Sequence, residues 1–136
     1  MAACTQKGQA MDSYRRGLEA LTMMLGTDRA AAVVEKFRSL SPAFEQEAVS
    51  VVFGRTWARG GIDLKTRSLC SIGILASLGR INALKINYTL ALENGASLEE
   101  ITEVLLQVGV YAGYPAALDA LLLLDEVVRH VPPESR

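Results

Sequence analysis

Cysteine, histidine and tryptophan are scarce in this sequence of 136 residues, which contains two cysteines, one histidine and one tryptophan. Two cysteines, Cys4 and Cys70, are too few for a disulfide framework. A zinc site needs three or four ligands, and these cysteines and His130 are too scattered along the chain to provide them. The sequence also lacks HExxH, CxxC and GxSxG motifs and a glycine-rich phosphate loop. We therefore expect no metal and no cofactor.

An excess of charge of one sign and a long apolar run are also missing. The formal net charge is −1, from 14 Lys+Arg and 15 Asp+Glu, which argues against a partner such as nucleic acid or an anionic membrane. Apolar runs such as 120–124 are far shorter than the roughly 20 residues that span a bilayer. Residues 1–11 contain no apolar run of signal-peptide length. We therefore expect a cytoplasmic protein.

Half of the residues are apolar, and helix caps and helix breakers punctuate the chain. No segment alternates with period two, so we predict an all-α fold of about six to seven helices without a sheet. The predicted helices cover about 12–25, 27–37, 42–57, 64–78, 82–92, 98–112 and 115–129. Their expected N-terminal residues are Asp12 or Ser13, Thr27 or Asp28, Ser41 with Pro42, Asp63, Asn82, Ser97 with Glu100, and Pro115. We expect one domain over 11–130, a disordered or frayed tail over 1–10, and a C-terminal tail over 131–136.

Two predicted helices, 64–78 and 115–129, are apolar on more than one face. The first should therefore be central and buried. Together they contain more apolar surface than one small core needs, which favours a homo-oligomer. The alternative is a single, well-filled helical bundle.

Arg67 and Lys65 fall in the opening turn predicted after Asp63. A helix N-terminus carries partial positive charge, so two cations there would stabilise a bound anion. The planar guanidinium of Arg67 matches a carboxylate. The alternatives are a structural ion pair of Arg67 with Glu45, Glu47 or Asp63, or a surface arginine whose charged end reaches solvent.

Each of the other candidate residues has a structural interpretation as well as a functional one. Asn87 lies in the middle of a predicted helix, where its amide either serves a pocket or faces solvent. The tyrosines Tyr88, Tyr111 and Tyr114 either pack or present a polar tip. Trp57 is interpreted as a core residue that could also form the wall of a pocket, and Cys70 as inert packing.

Three blocks of the sequence resemble the carboxymuconolactone decarboxylase family. They are residues 53–69 (FGRTWARGGIDLKTRSL), residues 94–106, and residues 110–117 (VYAGYPAA). The blocks keep the family's order and spacing over about 44–128. The resemblance implies the AhpD-like all-helical fold, assembled as a homotrimer or homohexamer with sites near subunit interfaces.

The family includes a CxxC peroxidase branch and a cofactor-free decarboxylase branch. The peroxidase cysteines would fall at Arg80 and Ala83, and the glutamate that assists them at Ser68, so peroxidase chemistry has no nucleophile here. The residues 66–68 (TRS) match the decarboxylase branch. The decarboxylases carry a histidine at the position of Asn87, and an amide cannot exchange protons near neutral pH. The resemblance therefore implies a divergent decarboxylase.

The leading hypothesis is a cofactor-independent lyase that decarboxylates a small carboxylated lactone or enolisable carbonyl compound. Arg67 and Asn87 would stabilise the developing oxyanion. A proton would come from Tyr88, Tyr111 or water. The substrate would be bound by Trp57, Lys65, Ser68 and Tyr114.

Two alternatives stay open. One is a biosynthetic family member that acts as a cyclase or isomerase. The other is a binding or assembly protein that has lost catalysis, which the missing histidine favours.

Overall fold

The computed structural model of the protein describes residues 2–131. This part of the chain contains seven α-helices and one π-helix and no strand, which confirms the predicted all-α fold. The helices are α1 (Ala2–Leu25), α2 (Thr27–Leu40), α3 (Pro42–Glu47), the π-helix (Ala48–Trp57), α4 (Leu64–Ser77), α5 (Ile81–Glu93), α6 (Leu98–Ala112) and α7 (Tyr114–His130). The chain divides into two compact units, Met1–Ile62 and Asp63–Arg136.

Several predicted caps are present in the structure. The side chain of Ser41 accepts a hydrogen bond from the backbone N–H of Phe44 (3.2 Å). The side chains of Ser97 and Glu100 form the predicted capping box at the start of α6. These caps satisfy backbone donors that a helix N-terminus otherwise leaves unpaired.

Other boundaries differ from the prediction. Helix α1 begins at Ala2, about ten residues before the predicted caps, so residues 2–10 are helical where we expected a tail. Helix α2 follows Gly26, which has a φ of 79°, without a side-chain cap. Helix α5 begins at Ile81, without the expected cap at Asn82. Residues 132–136 of the expected C-terminal tail lie outside the described residues, and the domain boundaries at 11 and 130 stay a prediction.

The first unit is built on a close crossing of α1 and the π-helix. A Cβ atom at Gly17 would lie 2.0 Å from the backbone oxygen of Val49, and one at Gly54 would lie 1.9 Å from that of Ser13. Only glycine permits these approaches, because any side chain would overlap a backbone carbonyl. The core around the crossing is formed by the buried side chains of Leu21, Ala30, Val34 and Val49.

The second unit packs α4 against α5, α6 and α7 around one apolar core. Its fully buried side chains include Ile72, Leu84, Tyr88, Ile101 and Leu105. Helix α4 is central in this unit, as predicted, but it is not buried on all sides. Ile74 and Leu78 are 59% and 63% exposed. The prediction that α4 is buried is therefore wrong for this face of the helix.

Candidate functional site

The first turn of α4 forms one part of the candidate site. Asp63 caps the helix, and its Oδ1 accepts a hydrogen bond from the backbone N–H of Thr66 (2.7 Å). That hydrogen bond, followed by the charge of Lys65, lowers the pKa of the Asp63 carboxyl below its usual value. The helix N-terminus therefore already has a negative partner within the protein.

Lys65 is paired inside the second unit. Its Nζ lies 2.9 Å from Oε1 of Glu100, the residue that closes the capping box of α6. The hydrogen bond and charge of Glu100 raise the pKa of the Lys65 ammonium. The charge of Lys65 is thus compensated by Glu100, which makes it a weaker candidate for substrate binding than the sequence suggested.

Arg67 lies half-buried in the same turn. Its backbone N–H donates to the carbonyl of Asp63 (3.0 Å), and its own carbonyl accepts from Oγ of Ser71 (3.1 Å). On a helix, residues three and four positions apart are neighbours on one face. Arg67 therefore stands one turn before Cys70 and Ser71 on α4, but it is not among the residues that line the groove described next.

A groove of about 720 Å³ lies between α4 and α6 within the second unit. We call it the α4–α6 groove. Its walls are mainly apolar, with a few polar side chains at its rim. Its lining residues include Thr66, Cys70, Ile74, Leu78, Val104 and Tyr111. Ligand sites in proteins commonly have this size and this mixture of apolar walls with few polar groups.

Two of the candidate tyrosines are accessible. Tyr111, near the end of α6, is 83% exposed and lines the groove. Tyr114 is 72% exposed, and its ring packs beside Gly109, where an added Cβ would lie 3.0 Å from Cδ1 of the ring. Tyr111 is therefore the predicted catalytic tyrosine that the structure places in a ligand-sized groove.

Tyr88 is in a different environment. Its side chain is fully buried, and its hydroxyl donates to the carbonyl oxygen of Ala120 (2.7 Å). Burial raises the pKa of the Tyr88 phenol well above its usual value. A phenol that is held by a backbone carbonyl inside the core is poorly placed to deliver a proton to a ligand. This geometry favours a packing role over the predicted catalytic one.

Asn87 is half-buried on α5, and its Nδ2 donates to the carbonyl of Ala83 (2.8 Å). The carboxamide oxygen is left as the acceptor that could orient another group. Asn87 and Tyr88 belong to α5, whereas the described lining of the α4–α6 groove comes from α4 and α6. The structure therefore does not place Asn87 in the same groove as Tyr111.

Ser68 is also buried rather than open to a ligand. Its Oγ accepts a hydrogen bond from Nδ2 of Asn94 (2.9 Å), which ties α4 to the end of α5. Trp57 is half-buried at the end of the π-helix in the first unit. Of the four predicted substrate-binding residues, Lys65 and Ser68 thus have partners within the second unit.

Cys70 was misjudged from the sequence. It is exposed and lines the α4–α6 groove, whereas we predicted inert packing. The prediction treated α4 as central and buried, but only Ser68, Ile72 and Ala76 of this helix are buried. Gln107 of α6 also lines the groove and was not predicted. The spacing of Thr66, Cys70 and Ile74, each four residues apart, was the available signal.

The described residues contain no group of three or more His, Cys, Asp and Glu side chains that could hold a metal ion. Arg80, at one of the two positions where the resemblance puts the peroxidase cysteines, is exposed, and Ala83, at the other, is half-buried. None of the helices in the described part is long and apolar enough to cross a membrane.

The second unit is thus all-α, with Arg67 in the first turn of α4 and an apolar groove between α4 and α6. The chain belongs to the carboxymuconolactone decarboxylase family, whose model matches residues 42–126. The match contains Arg67, Asn87, Tyr88 and Tyr111. Together with the seven α-helices and the absence of strands in the described residues, it confirms the predicted AhpD-like helical class.

Three relatives illustrate the range of the similarity. The chain is 31% identical over 116 residues to a 4-carboxymuconolactone decarboxylase of Acinetobacter baylyi, covering 85% of this chain and 87% of that protein. It is 23% identical over 115 residues to a nitrosuccinic acid decarboxylase of Metarhizium robertsii, covering 85% and 80%. It is 33% identical over 90 residues to an uncharacterized 15.0 kDa protein of Paracoccus denitrificans, covering 65% and 67%. Two of the three are decarboxylases, and the identities are those of a divergent member.

Proposed function

We propose that this protein is a cofactor-independent carboxy-lyase that acts on a small carboxylated lactone or enolisable carbonyl compound. The observation that carries the proposal is the 31% identity to a 4-carboxymuconolactone decarboxylase across 85% of the chain. An alignment of that length necessarily includes the first turn of α4 with Arg67. The second decarboxylase relative, from Metarhizium robertsii, supports the reaction class independently of the lactone.

The reaction breaks the bond between the substrate's carboxylate and its neighbouring carbon. The electron pair moves into the adjacent carbonyl, carbon dioxide leaves, and the resulting enolate takes up a proton on carbon. Arg67 is half-buried and directly follows Thr66, which lines the α4–α6 groove. Its guanidinium would stabilise the developing oxyanion. Interactions of this kind accelerate a reaction because they strengthen as charge develops.

The proton is assigned to Tyr111 or to water. Tyr111 lines the groove and is 83% exposed, whereas the hydroxyl of Tyr88 is held in the core by Ala120. The apolar walls of the groove would contact the body of the substrate. Asn87 lies on α5, outside the described lining of the groove in its own subunit. Its contact with the substrate would therefore require a site shared between subunits, where its amide would orient the substrate without transferring protons.

The test is the release of carbon dioxide from a panel that contains 4-carboxymuconolactone and other small carbonyl acids. The protein is first dialysed against a chelator. We expect at least one member of the panel to be decarboxylated faster than in buffer, with the rate unchanged by the dialysis. The proposal fails if no member of the panel is turned over by the folded protein.

The side chain at position 87 determines how the rate of lactone decarboxylation compares with that of the family's lactone decarboxylases. General acid–base help is worth about 10²–10⁴-fold, so we expect slow turnover of the lactone by the natural protein and faster turnover by Asn87→His. The rate of the variant should show an inflection near pH ~6.5, where a histidine titrates. Asn82→His, at an exposed position of α5, is the matched control and should gain nothing. Efficient turnover of the lactone by the natural protein would contradict this view of Asn87.

The hydrogen bond from Asn87 to Ala83 favours one alternative, a binding or assembly protein. An amide engaged with its own helix backbone has no evident catalytic task. This alternative predicts saturable binding of small carboxylates with no release of carbon dioxide. A biosynthetic cyclase or isomerase would convert a member of the panel without losing carbon dioxide, which analysis of the products distinguishes.

A homotrimer or homohexamer in the cytoplasm is part of the same proposal. The exposed apolar side chains of the second unit outside the groove support it, and they include Val110, Leu118 and Leu122. Exposed apolar surface of this extent is uncommon on monomers.

A further inference from the structure

A second concave site lies in the first unit, and its chemistry is the opposite of that of the α4–α6 groove. It measures about 430 Å³ and lies between α1 and the π-helix. Its lining is polar and consists of Gln9, Asp12, Ser13, Arg16 and Arg55. We call it the α1–π pocket. It contains none of the residues assigned to decarboxylation.

The close crossing of the two helices shapes this pocket. Gly54 rests on the backbone carbonyl of Ser13, where an added Cβ would lie only 1.9 Å from the oxygen. The next residue of the π-helix, Arg55, therefore stands beside the turn of α1 that carries Asp12 and Arg16. Ser13 is 4% exposed, so it forms the buried floor of the pocket.

The charges around the pocket do not balance. Asp12 accepts a hydrogen bond from Nη2 of Arg15 (2.9 Å), and its other oxygen lies 3.5 Å from Nε of Arg16. Asp12 thus already serves two guanidinium groups. Within the described part of the chain no ion pair involves Arg55. The pocket consequently presents two guanidinium groups against one shared carboxylate.

We propose that the α1–π pocket binds the oxyanion group, a phosphate or a carboxylate, of a small polar metabolite. Arg55 and Arg16 would hold the anion, because a guanidinium offers a planar fork of donors that matches both groups. The hydroxyl of Ser13 and the amide of Gln9 would complete the polar contacts. The volume suits a small molecule, and the polar lining excludes an apolar one.

This proposal does not depend on the proposed carboxy-lyase activity. Most of the pocket belongs to α1, which lies outside the family match at residues 42–126, and only Arg55 lies inside it. Failure to find decarboxylation would therefore leave the pocket untouched, and failure to find anion binding would leave the lyase proposal untouched.

The test measures the melting temperature of the full chain while inorganic phosphate or malonate replaces chloride at constant ionic strength. Ligand that binds the folded state raises the melting temperature in a saturable way, from which a Kd follows. We expect a Kd on the order of 1 mM for at least one of the two anions. Saturation by phosphate alone indicates a phosphorylated metabolite, saturation by malonate alone a carboxylate, and saturation by both the shared oxyanion chemistry.

Variants separate the pocket from general salt effects, because phosphate also stabilises proteins by exclusion from their surface. Arg55→Gln should weaken binding about tenfold or more, as expected for a lost charge-assisted hydrogen bond. Arg55→Lys, which keeps the charge but loses the fork, should weaken it less. Arg80→Gln removes the same charge from an exposed position of the second unit and should leave the Kd unchanged. The proposal is overturned if neither anion saturates, or if the Arg55 and Arg80 variants respond alike.

Discussion

Tyr88 on α5 and Tyr111 on α6 lie in opposite environments, one in the core and one at the groove. Removing the Tyr88 hydroxyl deletes a buried hydrogen bond to Ala120. We therefore expect Tyr88→Phe to lower the free energy of unfolding by about 1 kcal/mol and to leave turnover per folded molecule unchanged. Tyr111→Phe should leave stability within about 0.5 kcal/mol and slow turnover. Urea denaturation and the decarboxylation assay check both variants, and a folded but inactive Tyr88→Phe would contradict these assignments.

The exposure of Cys70 gives a chemical handle on the α4–α6 groove. In a Cys4→Ser background, we expect a thiol reagent to label Cys70 in the native protein about as fast as in the unfolded chain, since exposed thiols react. Labelling kinetics with and without denaturant measure this ratio. Strong protection of the native thiol would contradict an open groove.

Individual side chains show where reasoning from the sequence stops. The pattern of residues 66–68 was enough to predict Arg67 as a candidate site residue and to indicate the family, because both predictions depend on sequence pattern alone. The partners Glu100 for Lys65 and Asn94 for Ser68 are set by how α4 packs in the second unit. Such pairs, which are 35 and 26 residues apart in the chain, leave no local signal.

The start of α6 is stabilised by its capping box and by the contact of Glu100 with Lys65. The hydroxyl of Ser97 accepts from the backbone N–H of Glu100 (3.0 Å). We expect Ser97→Ala to cost about 1 kcal/mol of unfolding free energy. Ser39→Ala, which removes a bond in the last turn of α2, should cost less. An equal loss in the two variants, measured by urea denaturation, would contradict a specific role for the cap.

The pH dependence of this contact has a defined sign. The hydrogen bond from the backbone of Ser97, followed by the hydrogen bond from Lys65, lowers the pKa of the Glu100 carboxyl. In turn, the hydrogen bond and charge of Glu100 raise the pKa of the Lys65 ammonium. The contact therefore stabilises the fold above the unfolded carboxyl pKa of about 4.3 and below the unfolded lysine pKa of about 10.4. It is lost as the pH falls through the folded pKa of Glu100, and also as the pH rises through that of Lys65.

We expect Glu100→Gln to be less stable than the natural protein at pH ~7, with the difference shrinking in acid. A constant difference for Glu100→Gln across this pH range would contradict the linkage.

The crossing of α1 and the π-helix depends on two glycines. Gly54→Ala would place a methyl group 1.9 Å from a backbone oxygen, and a backbone atom cannot move aside as a flexible side chain can. We expect a loss of about 1–3 kcal/mol or more. Gly60→Ala is the matched control, because nothing lies within 4 Å of its added Cβ. Equal stability of the two variants in thermal or urea unfolding would contradict the crossing.

Helices were predictable from the sequence where a capping side chain starts them. Asp63, Ser41 and the pair Ser97 and Glu100 act locally, so their signals are local too. The π-helix was not predictable, because the residues after Glu47 have an ordinary helical pattern. The observed crossing with α1 involves Gly17 and Gly54, which are far apart in sequence, and tertiary contacts of this kind override local propensity.

The apolar surplus of the whole chain bears on its assembly. Leu118 and Leu122, one turn apart on α7, are 56% and 61% exposed. We expect light scattering to report a trimer or hexamer at micromolar concentration and Leu122→Glu to dissociate it, because a charge is costly in an apolar interface. A natural protein that is monomeric under these conditions would contradict the assembly.

For the molecule as a whole, the sequence was enough to predict the fold class and the family. Helix caps and hydrophobic patterning indicate the fold class, and three blocks of residues indicate the family. It did not predict which apolar faces stay open. Cys70 and Ile74 were assigned to the core, and they line the groove instead. A single sequence records that a helix face is apolar but not what covers it.

The carboxy-lyase account is tested most directly by comparing Arg67→Ala with Arg129→Ala in the carbon dioxide assay. Arg67 is half-buried in the first turn of α4, whereas Arg129 is an exposed arginine of α7 that pairs with Asp125. Circular dichroism first confirms that both variants are folded. The account predicts that Arg67→Ala loses about tenfold or more of the rate per folded molecule, while Arg129→Ala keeps it. Equal rates in the two folded variants would contradict the role of Arg67 and, with it, the proposed site.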